Sequence, residues 1–556
     1  MKKGKNLARI AVTAGLTMAM TLGGVALPAT AAFAADTGNV TILPNANNTA
    51  DATTTLGYQI FKGDVVDSGT SKTVSNIGWA SDEVGTVVVN QIKALDSTYA
   101  GTTAQDAADY LSKHLPAEGS SGTSTIIESN KLYSNIANAL RADATLKPTK
   151  LTAGTPSNLS AGYWLFLTDT TSTANTDSAS KVDQVGSAPI YAVVGDGDLR
   201  VSPKSTLPTV NKEVKNDATG SDWGKVADSE VGQDLQYRLT GTVSDAIPSY
   251  DTYYYKFTDT LSAGLTVDAS SVAVTVVTNG TTYTVASGSY ATTLTSDTDG
   301  TSTLGVEFSD LKTIKDSNGA TIPVTGASKV YVTYNAKLDA SKAFKVASER
   351  NDNTVKLTYS NNPGTDSKGD STPSTVGDYT FKLKMDKVDS SDGSKTLKGA
   401  KFTIQATGAD EGDGKLYVQK DGTLGKDPYE FTTSTDADGY ASISVSGLDV
   451  GKYTVVETHA PSGYNTVASF DFEIRTTYDS TGKLTKVEAS TSNANAADAS
   501  TDTNGLVTVT VKDKAGMSLP LTGQAGVTAT WIAGGIVLAI GVTHLVRSRR
   551  ENGSEE

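Results

Sequence analysis

Six residues of this sequence have the types and the placement to build amide bonds between side chains. Lys212 stands between Val210 and Val214, Asp259 follows Tyr253, Tyr255 and Phe257, and Asn353 precedes Val355, Leu357 and Tyr359. Farther along, Lys387 follows Phe381, Leu383 and Met385, Glu457 follows Tyr453 and Val455, and Asp513 follows Val507, Val509 and Val511. Side chains two apart on a strand share a face, so a polar residue in register with an apolar run is aimed at the core. An unpaired charge there is strongly destabilising, and one way out is chemistry that removes it. Burial lowers the pKa of a lysine and raises that of a carboxylic acid, giving a neutral amine and a protonated acid able to hydrogen-bond a carbonyl. The amine then attacks the side-chain carbonyl of Asn353 or Asp513, releasing ammonia in the first case and water in the second. Effective molarities of about 10⁵–10⁸ M make this slow amide synthesis feasible. Asp259 and Glu457 are the expected proton-handling acids, and each product is an isopeptide bond between the first and last strands of a domain.

The elements that must hold these groups are mostly strands. Residues 36–205 mix strand-like runs ("TLGYQIFKGDVV", "GYWLFLTD", "APIYAVV") with a helical stretch in which Tyr133, Ile136, Ala137 and Leu140 fall at i, i+3, i+4 and i+7, an α+β pattern. Residues 206–375 are nearly all strand: Val272, Val274 and Val276 alternate with other residues, and Asn279-Gly280 gives a type I′ hairpin signal before Tyr283 and Val285. The stretch 360–378, "SNNPGTDSKGDSTPSTVGD", reads as an exit loop or linker. Residues 379–515 again read as short strands with turn residues between them, favouring a β-sandwich. The expected class is mainly β: tandem Ig-like sandwiches behind an α+β N-terminal domain, framed by a signal peptide and a C-terminal transmembrane helix.

Both ends of the chain carry addresses. Lys2, Lys3, Lys5 and Arg9 precede an apolar stretch and "AFA" at 32–34, an export signal covering 1–35. From 525 to 546 there is no Asp, Glu, Lys or Arg, about the length that crosses a ~30 Å hydrocarbon core as a helix. The tail 547–556, with Arg547, Arg549 and Arg550, should stay cytoplasmic, leaving the bulk of the chain outside.

Composition narrows the function. The 556 residues include no cysteine, so an exported chain must find stability without disulfides. A net charge of −14 argues against a nucleic-acid partner. The three histidines, His114, His459 and His544, together with the lack of cysteine, exclude Cys-His catalysis and the common zinc sites, and no phosphate- or dinucleotide-binding glycine pattern stands in context. The chain is therefore read as a non-enzyme with no cofactor and no metal; Asp-rich loops such as "DATGSD" and "DADG", which could hold Ca²⁺, read as solvated turns.

The motifs resemble those of the sortase-assembled major (backbone) pilins of Gram-positive bacteria. "MDKVDSSDGSKTLKGAKFTI", "GKYTVVETHAPSGY" and "VTVTVKDKAG" look like the start, the E-box and the end of a collagen-adhesin B-type (CNA-B) domain. "PTVNKEVKND", "YYYKFTDTLSAGLTV" and "NDNTVKLTYSNNP" are similar to the middle pilin domain, and "GYQIFKGDV" with "SNIGWASDEV" to the N-terminal one. Asp513 departs from the commoner Asn at its place. The resemblance implies that "LPLTG" (Leu519, Pro520, Leu521, Thr522, Gly523) is a sorting motif cut between Thr522 and Gly523, and that Lys204 in "LRVSPKSTLPTV" accepts the resulting thioester from the next subunit. Leu199, Val201 and Pro203 hold the apolar parity, so Lys204 is expected to face solvent with Arg200 and Ser202. The implied partners are a pilus-specific class C sortase, a housekeeping sortase, other copies of the chain, tip or basal minor pilins and peptidoglycan, on a cell-wall-anchored pilus that supports adhesion to host surfaces. A monomeric wall-anchored adhesin shares every feature except the need for Lys204. Leu56, Tyr58 and Ile60 put Lys62 in an inward register too, yet the last strand of that segment offers only Asp196 and Asp198, so a snorkelling lysine is the favoured reading over a third cross-link.

Overall fold

A computed structural model of the chain describes residues 36–44, 54–67, 72–114, 126–169, 185–203, 206–215, 222–407 and 417–516. The signal segment, Lys204, the LPLTG tag, the apolar stretch 525–546 and the basic tail lie outside them; among the described residues no helix is long and apolar enough to cross a membrane. The chain divides into two compact units, the first made of residues 1–227, 233–345 and 350–378 and the second of 228–232, 346–349 and 379–556.

The first unit opens with the expected α+β region. Its sheet runs Lys72–Trp79, Thr54–Asp67, Gly162–Thr168 and Ile190–Val194, all antiparallel, with Thr149–Thr152 added to the second strand. The run "GYWLFLT" is apolar up to its last residue because this strand is buried on both faces. Tyr163, Leu165 and Leu167 pack with Val88, Ile92, Leu111, Ile136 and Leu140 of three helices, Asp82–Leu95, Ala104–Lys113 and Leu132–Ala142. Trp164 and Phe166 face the other way, onto Val40, Leu159 and Val201 of a small sheet ordered Ser157–Ser160, Thr37–Ile42, Asp198–Val201. Local chemistry sets the helix starts: Ser81 accepts from Val84 N at 3.3 Å, and Thr103 with Asp106 forms a capping box.

The inward register expected for Lys62 is not kept, and its side chain is exposed. The pairing with Lys72–Trp79 shifts between Lys62 and Asp64, and a Cβ on the intervening Gly63 would meet the Ser75 carbonyl oxygen at 2.5 Å. Ile60 and Phe61, consecutive in the chain, are both buried in the same core, so the alternation slips by one residue just before Lys62 and turns it outward.

The rest of the first unit is a two-sheet sandwich. One sheet runs Trp223–Gly224, Val210–Lys215, Leu235–Thr242, Lys329–Leu338, Leu265–Thr278 and Thr281–Thr284. The other contains, in order, Ser374–Tyr379, Asn351–Ser360, Tyr255–Leu261, Ser302–Phe308 and Ala291–Ser296. Asn279 and Gly280, at φ 50° and 76°, make the expected two-residue hairpin, with Thr278 opposite Thr281. The stretch 360–378 is not a linker: Lys368–Asp370 and Ser374–Tyr379 both pair with Asn351–Ser360. The strand that holds Asn353 is thus internal to its sheet, and a Lys212–Asn353 bond would not end at the last strand. Short strands among Gly, Pro and Ser residues have no alternation long enough to be read from sequence.

The second unit is also a sandwich. One sheet runs Ser434–Thr435, Ala441–Leu448, Phe381–Asp389, Val507–Asp513 and Ala497–Thr501, the other Leu424–Gly425, Tyr417–Val418, Lys401–Ala406, Gly451–His459, Phe470–Tyr478 and Leu484–Thr491. Phe381–Asp389 and Val507–Asp513 are parallel neighbours, Lys387 opposite Val511 and Asp389 opposite Asp513. Here the long first and last strands do lie side by side.

Candidate functional site: two buried lysine centres

The first centre lies between the two sheets of the sandwich in the first unit. Val210–Lys215 turns Lys212 and Val214 to the interior, and Lys212 pairs in register with Leu239. Tyr237 and Tyr334 are opposite each other on the next two strands of the same sheet. The facing sheet supplies Asp259, opposite Val355, and Asn353, opposite Leu261. Lys212, Asp259 and Asn353 are each 0 % exposed. Lys212 Nζ lies 2.5 Å from Asp259 Oδ2 and 2.9 Å from the Tyr334 hydroxyl. Tyr334 donates to Asp259 Oδ2 at 2.5 Å and accepts from Asn353 Nδ2 at 2.7 Å. The rings of Tyr237 and Tyr334 stack 5.3 Å apart, and the amine sits 5.2 Å from each centroid. Burial pulls the Lys212 ammonium down to about 8 although the Asp259 carboxylate opposes the shift. Asp259 Oδ1 and Asn353 Oδ1 are buried without a hydrogen-bond partner, an unsatisfied state that native interiors rarely tolerate.

The second centre is assembled differently. Lys387 and Asp513 come from the two parallel neighbours, while Glu457 reaches in from Gly451–His459 of the facing sheet, opposite Phe402 on Lys401–Ala406. All three side chains are 0 % exposed or nearly so. Lys387 Nζ contacts Asp513 Oδ1 and lies 3.0 Å from Glu457 Oε1, over the Phe402 ring at 5.3 Å. Glu457 Oε2 accepts from the Val467 backbone N–H at 2.7 Å. Burial lifts the Glu457 carboxyl to about 7, against the opposing Lys387 charge and the Val467 N–H; burial also raises the Asp513 carboxyl, with Lys387 again opposing. A carboxylic acid that burial pushes toward its protonated form, beside an amine and a second carboxyl, can move protons between them.

All six residues expected from strand parity are therefore buried and grouped in threes. The amine reaches its acid directly in both centres, whereas Lys212 and Asn353 meet through the Tyr334 hydroxyl. Tyr334 and Tyr237 were not singled out from sequence. The signal was present, since Tyr334 alternates with Val330, Val332, Ala336 and Leu338, all buried, and a buried tyrosine hydroxyl seeks a polar partner. Arg200 and Ser202 are exposed and Val201 is buried, as the parity around the Pro-Lys pair requires; Lys204, Leu519, Pro520, Leu521, Thr522 and Gly523 lie outside the described residues. His459 is exposed, and in "DADG" Asp436 Oδ1 accepts from Asp438 N and Tyr440 N, a turn closed on itself. Among the described residues no group of three or more histidine or acidic side chains is placed to hold a metal ion.

Residues 381–490, within the second unit, match the family model SpaA, a prealbumin-like fold domain. No curated protein matches the sequence. Among solved structures, the T6 backbone pilin of serotype M6 Streptococcus pyogenes is 16% identical at a TM-score of 0.47, covering 87% of this chain and 99% of its own. The full-length major pilin SpaD from Corynebacterium diphtheriae is 15% identical at 0.44, covering 87% and 98%. The major pilin SpaA of the same organism, described as pointing to a modular pilus assembly stabilizing isopeptide bonds, is 15% identical at 0.40, covering 86% and 100%.

Proposed function

We propose that this chain is the repeating shaft subunit of a covalent surface pilus, locked internally by two self-formed isopeptide bonds and joined to its neighbours through Lys204 and Thr522. The observation that carries the reading is the pair of fully buried lysines, each in contact with a carboxyl group, Lys387 also touching Asp513 directly and Lys212 linked to Asn353 through the Tyr334 hydroxyl. The lysines and their partner acids have side chains 0 % exposed, so the chemistry is a single turnover within the fold. At the first, neutral Lys212 Nζ attacks Asn353 Cγ and ammonia leaves. At the second, Lys387 Nζ attacks Asp513 Cγ and water leaves, Glu457 handling the protons. The family of residues 381–490 and the resemblance of the LPLTG tag and Pro203-Lys204 to their pilin counterparts support the polymer.

In this reading a class C sortase cuts the precursor after Thr522, holds it as a thioester and passes it to Lys204 of the next copy. The membrane segment 525–546 keeps the precursor at the enzyme until that happens. A housekeeping sortase then ties the finished fibre, with its minor pilins, to peptidoglycan. The cross-links explain how an exported chain does without cysteine, since an amide ignores redox conditions.

Peptide mapping tests the internal bonds. A tryptic digest of the full chain should contain a Lys212–Asn353 peptide lighter by one ammonia and a Lys387–Asp513 peptide lighter by one water; linear peptides at both places would end the proposal. The two bonds should also respond to pH in opposite senses. The neutral fraction of Lys212 grows as pH climbs toward about 8, so its bond forms faster with rising pH and levels off above that value. The protonated fraction of Glu457 shrinks as pH rises through about 7, so the second bond slows. Cell-free synthesis in buffers from about pH 6 to about pH 9, followed by mapping at early times, reads both slopes from one polypeptide. Parallel slopes would contradict the roles given to Lys212 and Glu457.

A further inference from the structure

The two centres must expel different atoms, and only the first has a nitrogen to lose. A carboxamide nitrogen leaves as ammonia only if it is protonated as its bond to carbon breaks. Asp259 is positioned to take the proton shed by Lys212, at 2.5 Å from Nζ, but Asn353 Nδ2 is held by the Tyr334 hydroxyl at 2.7 Å. That hydroxyl also shares Asp259 Oδ2, at 2.5 Å. We propose that Tyr334 is a catalytic residue of the Lys212–Asn353 ligation, relaying a proton from Asp259 to the departing nitrogen of Asn353. The inference rests on the isopeptide reading above.

The steps balance. Lys212 Nζ, as free amine, forms its bond to Asn353 Cγ and gives one proton to the Asp259 carboxylate. In the resulting tetrahedral adduct Nδ2 is pyramidal and has gained a lone pair, so its hydrogen bond with Tyr334 can reverse and it becomes the acceptor. The newly protonated Asp259 now donates to the Tyr334 oxygen while the Tyr334 hydrogen passes to Nδ2. The Cγ–Nδ2 bond breaks, ammonia leaves, and Tyr334 and Asp259 end as they began. Tyr334 never exists as a phenolate, which fits its surroundings: burial and the neighbouring Asp259 hold its hydroxyl well above the usual tyrosine range. Tyr237, stacked on Tyr334, fixes the ring that aims the hydroxyl. At the second centre the leaving atom is oxygen, and Glu457, raised to about 7, can supply a proton itself.

The test combines two substitutions in the full chain, with the cross-linked and linear peptides counted at intervals after a pulse of synthesis. Tyr334→Phe keeps the ring and removes only the relay, and should slow Lys212–Asn353 closure by about 10²-fold or more, the usual worth of a positioned acid. Asn353→Asp changes the leaving group to water, so adding Tyr334→Phe to it should slow closure far less. Unchanged closure in Tyr334→Phe would overturn the relay. Equal slowing in both backgrounds would also overturn it, since Tyr334 would then only pack, and the same holds if misfolding were the cause. A wild-type chain lacking the bond would instead remove the isopeptide reading beneath it, so the two failures are told apart by the unsubstituted protein.

Discussion

Lys204→Ala should turn a ladder into a single band. Cell-wall extracts of a strain making the unsubstituted chain, run in a denaturing gel and probed with antibody, should show covalent multimers of rising mass, and the substituted chain should run as one species. The expected loss is complete because each junction needs one amine to receive the thioester. Lys204→Arg should fail equally, although it keeps charge and length, because a guanidinium stays protonated and is no nucleophile. The fold should not suffer: the neighbours on the same parity, Arg200 and Ser202, are exposed, while the packing parity is carried by Val201. A ladder that persists in Lys204→Ala would refute the assigned linkage. A single band with Lys204 intact would favour a monomeric wall-anchored adhesin, which needs the sorting tag but not this lysine.

Glu457→Gln should leave the second unit folded but unlinked. The amide keeps the size of Glu457 and can still accept from Val467 N–H, yet it offers no transferable proton to the Lys387–Asp513 pair. The tryptic map should then regain the water, with Lys387 and Asp513 in separate peptides. The stability loss follows from chain entropy: a cross-link closing a loop of order 100 residues is worth about 4–5 kcal/mol on the model used for disulfides. For a domain of this size that corresponds to a fall in the unfolding midpoint of roughly 10–20 °C, readable by calorimetry of the exported chain. Asp259→Asn should do the same at the first centre, where the carboxylate lies 2.5 Å from Lys212 Nζ. A fully cross-linked Glu457→Gln chain would show that burial alone drives the reaction and would strip the acid of its role.

Strand parity made much of the site legible. Lys212, Asp259, Asn353, Lys387, Glu457 and Asp513 all sit on apolar faces that the sequence displays residue by residue, and all are buried. Parity failed at Lys62, because Ile60 and Phe61 both enter the core and shift the alternation by one, and it had nothing to read in 360–378, where strands of three and six residues are broken by Gly and Pro. The helix of Leu132–Ala142 and the hairpin at Asn279-Gly280 were recoverable because their signals are local.

What the sequence alone determined, then, is which side chains point inward: alternation is a property of the extended backbone and extends over any regular run. What only the tertiary structure decided is whom they meet. Lys387 and Asp513 come together along one sheet, whereas Lys212 crosses a gap to Asp259 on the opposite sheet and touches Asn353 only by way of Tyr334. Those distances depend on strand order, register and sheet-to-sheet packing, which join residues 19 to 126 positions apart in the chain and leave no periodic trace in it.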